Sequence, residues 1–190
     1  QLQRPSESFS FPIALGETGP IEPLFAGPLQ YPFLCQTTDS KLGQPLVDNQ
    51  VGIGMPVYKT QPDGTLDKNT ILGYSKDCSI KTQFMYYYQP EPGARFQKLV
   101  GDKAALTTLP EASNWLRVEV GTINRFIYAL VIPSTAQDLP TSPDVSPWNN
   151  KLIYHFKGGI SIGYHQGALK LRFITKDLQR QLEQGYAVAY

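Results

Sequence analysis

Apolar positions along the chain recur in short runs, most of them with the period of a β-strand. Trp115 to Val120 (WLRVEV) alternates apolar and polar residues, as a half-buried strand does. Arg125 to Pro133 (RFIYALVIP) is more continuously apolar and reads as a central strand. Lys81 to Gln89 (KTQFMYYYQ) is a strand by its aromatic content. Tyr86, Tyr87 and Tyr88 within it alternate faces, which leaves at least one exposed; core packing is favoured over a sugar-binding platform. Val57 to Thr60 and Thr70 to Tyr74 flank Gln61-Pro62-Asp63-Gly64, a turn in which proline presets φ and glycine accepts the positive value. Ala94 to Leu99 suits either one helical turn or the end of a strand.

Around these runs the chain divides into four regions. Residues 1–34 carry prolines at 5, 12, 20, 23, 28 and 32, which forbids long helices and predicts an extended arm. Residues 35–133 form a β-rich region, and 134–150 (STAQDLPTSPDVSPWNN) a polar, proline-broken linker loop. In 151–190 the pattern changes. Lys151 to Phe156 (KLIYHF) reads as a strand and Lys157 to Gly167 (KGGISIGYHQG) as a glycine-rich loop. Thr175 to Gln184 reads as a helix, with Thr175 as its N-cap and Gly185 just past its end, before a second buried strand in GYAVAY. A strand, loop, helix and strand over this length make a βαβ unit and imply a parallel sheet. The fold class expected is therefore α/β, a β-rich N-terminal region leading into the first strands of a hydrolase-type sheet.

Composition narrows the possible functions. The 190 residues include 41% hydrophobic and 12% aromatic residues, enough for a substantial core. The net charge is +1 and the Lys and Arg residues are scattered along the sequence, so no nucleic-acid partner is expected. The apolar stretches fall far short of the roughly 20 residues that span a bilayer. Two cysteines, Cys35 and Cys78, suit either one disulfide or two buried thiols, with the polar turn around Cys78 favouring the bridge. With His155 and His165 ten residues apart they give no metal pattern, and no cofactor is expected. The chain opens at Gln1 without Met or an apolar leader, which reads as a mature N-terminus left by signal removal or as an artificial boundary. The expected location is secreted or periplasmic.

The chemistry concentrates in the last forty residues. A glycine-rich turn after a hydrolase strand supplies one backbone N–H of an oxyanion hole. The segment Tyr154-His155-Phe156-Lys157-Gly158-Gly159 suits that role, with Gly158, Gly159 and Ile160 as backbone donors. An ordinary tight turn in another parallel-sheet protein is the alternative. Gly159-Ile160-Ser161-Ile162-Gly163 also matches G-x-S-x-G, the nucleophile elbow. Against Ser161 as nucleophile, the helix is delayed by Tyr164-His165-Gln166-Gly167, and no Asp/Glu-then-His order follows it. His165 and Tyr164 stand as substrate contacts, and His155 as a structural histidine. The Asp48-Asn49-Gln50 loop and Asp77 suit backbone capping better than an ion site.

With these segments in view the chain resembles a family of secreted, mostly bacterial α/β-hydrolase-like proteins distantly related to tannases and feruloyl esterases. The resemblance rests on PFLCQTTDSKLGQPLVDNQVGIG, GYSKDCS, RVEVGTINRFIYALVIP, WNNKLIYHFKGGISIGYHQG and LEQGYAVAY. It implies esterase-like acyl hydrolysis of a small-molecule ester or amide, with a nucleophilic serine in a later elbow and the acid and histidine later still. The sequence stops at Tyr190, before those residues. A parallel sheet ending there exposes its edge and an apolar face, which predicts a second polypeptide from the same precursor, made by nicking or self-cleavage. Truncation is the alternative.

Overall fold

The computed structural model describes residues 33–156 and 165–190. Its first strands, β1 (Met55–Thr60) and β2 (Leu66–Ser75), form the antiparallel hairpin that the Pro-Asp-Gly turn predicts. Gly64 takes φ +84°, and its N–H donates to the Gln61 carbonyl. Asp63 closes the turn by accepting from the amide and the hydroxyl of Thr65.

The remaining strands are β3 (Gln83–Gln89), β4 (Gln97–Lys98), β5 (Asn114–Ile123), β6 (Phe126–Ser134), β7 (Leu152–Tyr154) and β8 (Ala187–Ala189). They build one six-stranded sheet in the order β4-β3-β5-β6-β8-β7. The sheet takes strands from both sides of the 134–150 loop. Two short helices, α1 (Leu171–Asp177) and α2 (Gln179–Glu183), connect β7 to β8.

The α/β class expected from the sequence is corrected by this architecture. Among the described residues the chain is β-rich, and its sheet is mixed: every pairing is antiparallel except β7 with β8. β5 and β6 are joined by a tight turn at Asn124 and Arg125, and a tight turn can connect only antiparallel neighbours. The expected helix is present but starts earlier, at Leu171, and is broken at Leu178. Thr175 is not an N-cap; it lies inside α1, where its hydroxyl donates back to the carbonyls of Leu171 and Arg172. Lys170 holds the N-cap position without a side-chain bond. Gly185 does end the helical segment. At φ +87° its amide donates to Leu182, and a side chain there would meet the Pro147 carbonyl at 2.7 Å.

One row of side chains crosses the sheet on the helix side. Met85, Val118, Val131, Val188 and Ile153 are successive cross-strand partners on β3, β5, β6, β8 and β7. The three valines are fully buried, and Ile174 and Leu182 of the helices complete the core above them. On this face Tyr87 joins the same cluster, while Tyr86 and Tyr88 pack with Trp115 on the opposite face. The two central strands exchange the characters read from sequence. β5 is buried on both faces for most of its length, whereas β6 alternates. Arg117 and Glu119 gave β5 its polar period, yet Arg117 is buried and Glu119 half-buried, and both find partners. Glu119 accepts from the Tyr128 hydroxyl.

Arg117 pairs with Asp138 at 3.3 Å, with side chains 8% and 0% exposed. Asp138 belongs to the 134–150 loop, so this pair pins the loop to β5. Lys103 secures the same corner by donating to the carbonyls of Thr135 and Asp138 while lying 4.1 Å from the Tyr86 ring centroid. Its burial, opposed by Asp138, lowers the lysine pKa, and burial beside Asp138 raises that of Tyr86. Cys35 and Cys78 form a disulfide; closing a loop of this length stabilises by about 3–4 kcal/mol.

Removing one member of the buried pair leaves the other charge uncompensated. Asp138→Ala is expected to cost about 3–5 kcal/mol in urea unfolding, while the apolar double replacement Arg117→Met with Asp138→Leu costs less.

Candidate functional site

The parallel pair β7 and β8 delivers two chain segments to the same end of the sheet. Past the carboxyl end of β7 come His155 and Phe156; past that of β8 comes Tyr190. The His155 amide donates to the Ala189 carbonyl at 2.7 Å, and Tyr190 exchanges both backbone hydrogen bonds with Ala129 of β6. The imidazole of His155 therefore stacks on the Tyr190 ring, with centroids 6.0 Å apart and planes 24° from parallel.

Facing them is the segment 165–170. Together they enclose a cleft of about 680 Å³, lined by His155, His165 and Tyr190 with Phe126, Tyr154 and Phe156 at its aromatic mouth. The volume is that of a small-molecule site. Phe126 is braced edge-on by Phe33, which in turn lies under the Arg125 guanidinium. The Tyr154 and Phe156 rings lie 4.3 Å apart, and both side chains are largely exposed.

Gln166 holds the far wall. Only 3% exposed, it accepts from the Gln36 amide and donates to the Cys78 carbonyl, and its own amide donates to the Leu34 carbonyl. A parallel bridge between Leu34 and His165 runs beside it. Through Gln166, the disulfide that anchors Cys35 to Cys78 also fixes the backbone carrying His165. Ser40 adds a further tie by accepting from the Leu169 amide.

Of the residues singled out from sequence, His155 and His165 meet at this cleft. His155 stacks on Tyr190, in keeping with a structural part, yet it also lines the cavity. Cys35 and Cys78 are joined. Gly158, Gly159, Ile160, Ser161 and Tyr164 lie outside the described residues. The Asp48 loop is a capping device. Asp48 accepts from the amides of Lys76 and Asp77, and Asn49 accepts from those of Val51 and Ile53. Among the described residues no group of three His, Cys, Asp or Glu side chains could hold a metal. Gln166, Phe126 and Tyr190 were missed. Gln166 sat in a polar loop beside glycine, and nothing local in the sequence distinguishes a buried clamp from a solvated amide.

Two imidazoles in an aromatic cleft offer ring nitrogens that can donate or accept hydrogen bonds. The aromatic surfaces suit a flat or apolar ligand body.

Residues 14–190 match the model of a tannase-like family of unknown function (DUF6351). The chain belongs to this family. The distant tannase-like relationship read from the sequence stands on that match, which also covers the cleft and the disulfide. No curated protein matches the tannase-like chain, and no solved structure matches it. No helix among its described residues is long and apolar enough to cross a membrane.

Gln166→Ala strands buried partners on both sides of the wall. It is expected to cost about 2–4 kcal/mol in chemical denaturation and to speed amide exchange at Gln36. For Asp48, partial burial pushes the carboxyl pKa up, but the amides of Asp77 and Lys76 and the Asn49 side chain together outweigh it and hold the pKa below its ordinary value. The folded form therefore binds the proton less readily than the unfolded chain. The stabilisation is complete above the ordinary carboxylate range and is lost as pH falls through the depressed folded value. Asp48→Asn should flatten that part of the acid-unfolding curve.

Proposed function

We propose that this chain is the part of an esterase-type acyl hydrolase that holds the substrate and the oxyanion. The observation that carries the reading is membership of the tannase-like family across residues 14–190. The aromatic cleft supports it, because His155 precedes the glycine-rich loop, His165 lies within it, and both line the cavity.

On this reading the ester or amide substrate lies in the cleft, with His165 and Tyr164 contacting it. The amides of Gly158, Gly159 and Ile160 face the carbonyl oxygen. A serine on a second polypeptide of the same precursor attacks the carbonyl carbon, with a histidine there taking the hydroxyl proton and an acid orienting that histidine. The negative charge that develops on the carbonyl oxygen is stabilised by the backbone donors, each worth about 3–4 kcal/mol in the transition state. The histidine returns the proton to the leaving group, and water then releases the acyl group by the same steps in reverse. Ser161 is the less favoured nucleophile.

An exposed sheet edge supports the partner chain. β7 borders the six-stranded sheet with Leu152 and Tyr154 largely exposed, and such edges are normally covered or paired. The disulfide supports a secreted or periplasmic location, where such bridges persist.

A serine-directed fluorophosphonate probe tests this reading on the intact protein. The expected result is labelling of a serine outside residues 1–190 together with loss of aryl-ester hydrolysis. Labelling of Ser161 would move the nucleophile into this chain. Absence of both labelling and ester turnover would overturn the acyl-hydrolase reading.

A further inference from the structure

Cations that are scattered in the sequence come together on one face of the fold. Lys41 follows the turn after Cys35, Lys98 lies on the edge strand β4, and Lys170 and Arg172 stand at the start of α1. All four line one cleft of about 430 Å³, with Asp39 the single carboxylate among the described lining residues. Lys98 is the direct cross-strand partner of Tyr87, which places it on the helix side of the sheet.

The cleft has an apolar wall beneath this cationic rim. Met85, Tyr87 and Leu171 line it and are only partly buried, so their surfaces are offered to a ligand. Lys41, Lys98 and Lys170 are exposed and form no salt bridge among the described residues. Arg172 also lines an adjoining cleft of about 340 Å³, where Arg95 and Lys176 join it with no carboxylate among the described lining residues. Six cations and one acid thus border two neighbouring clefts in a chain whose net charge is only +1. Like charges gathered this way repel one another, and a multivalent anion removes that cost.

We propose that this face binds an extended ligand carrying several carboxylates on a framework with apolar faces, the chemistry of an acidic oligosaccharide. The partly exposed Tyr87 and Phe96 surfaces suit the C–H faces of sugar rings. The basic side chains above them suit one carboxylate per ring. A fully charged phosphate polymer would satisfy the rim but has less use for the apolar wall. The site is separate from the histidine cleft, although Lys170 borders both. Binding therefore does not depend on the hydrolytic reading.

The test is calorimetric titration of the intact protein with a galacturonate hexamer and with the same hexamer after carboxyl reduction, which keeps the rings and removes the charges. The expected result is saturable binding of the acidic form, weakened by added salt, and none of the reduced form. Lys98→Ala, Lys170→Ala and Arg172→Ala each weaken binding about fivefold, the scale of one partly screened charge pair. Lys68→Ala on the distant hairpin leaves it unchanged. These side chains are exposed, so folding is retained, and circular dichroism confirms it for each variant. Equal binding of both hexamers, no binding of either, or affinity unmoved by the three variants would overturn the proposal. Tighter binding of a DNA oligonucleotide of equal charge would overturn the carboxylate assignment.

Discussion

The row Met85, Val118, Val131, Val188 and Ile153 is the constraint from which the rest of the structure follows. Side chains on a strand alternate faces, so a slip of one residue on any of the five strands would turn its member of the row away from the core. β8 is the most demanding case. It is three residues long and must pair antiparallel with β6 on one side and parallel with β7 on the other. Val188 pairs with Val131 on one side and Ile153 on the other, and its complete burial fixes the register of the two strands around it. That register sets where β7 and β8 end. It therefore decides that His155 and Tyr190 emerge side by side, in the lining of the cleft.

A second constraint acts from the other end of the chain. The disulfide joins Cys35 to Cys78, and Gln166 bonds to the backbone at Gln36 and Cys78, so residues far apart in sequence carry one wall of the cleft. The cleft thus has one wall held by the sheet register and one held by a covalent link. Such double support keeps a site within the tolerance that binding and catalysis demand. The same segment, continued to Lys170 and Arg172, forms part of the cationic face. One short stretch of chain borders both clefts.

Much of this was legible in the sequence where local chemistry decides structure. The Pro-Asp-Gly hairpin, the aromatic strand at 83–89, the apolar strand at 126–134 and the glycine ending the helical segment all follow from turn chemistry and period. The parallel β7–β8 pair also followed from the strand-helix-strand pattern. What was misread depended on partners far away in sequence. Arg117 and Glu119 gave β5 the alternation of a half-exposed strand, because nothing near them announces that Asp138 and Tyr128 satisfy them. The α/β class failed for a related reason. A βαβ pattern in forty residues says nothing of the antiparallel strands against which it is laid. Scattered cations, likewise, looked like an absence of charge patterning until the fold collected six of them on one face.

The central claim, that β8 is locked between β6 and β7 and so sets the cleft, is tested most directly by native-state amide hydrogen exchange. The amides of Ala187, Tyr190 and His155 donate to Lys151, Ala129 and Ala189 respectively. The account predicts that these three are protected to nearly the same free energy as the β5–β6 ladder, because all belong to one cooperative unit. Exchange of the three at loop-like rates, while the β5–β6 amides remain protected, would contradict it.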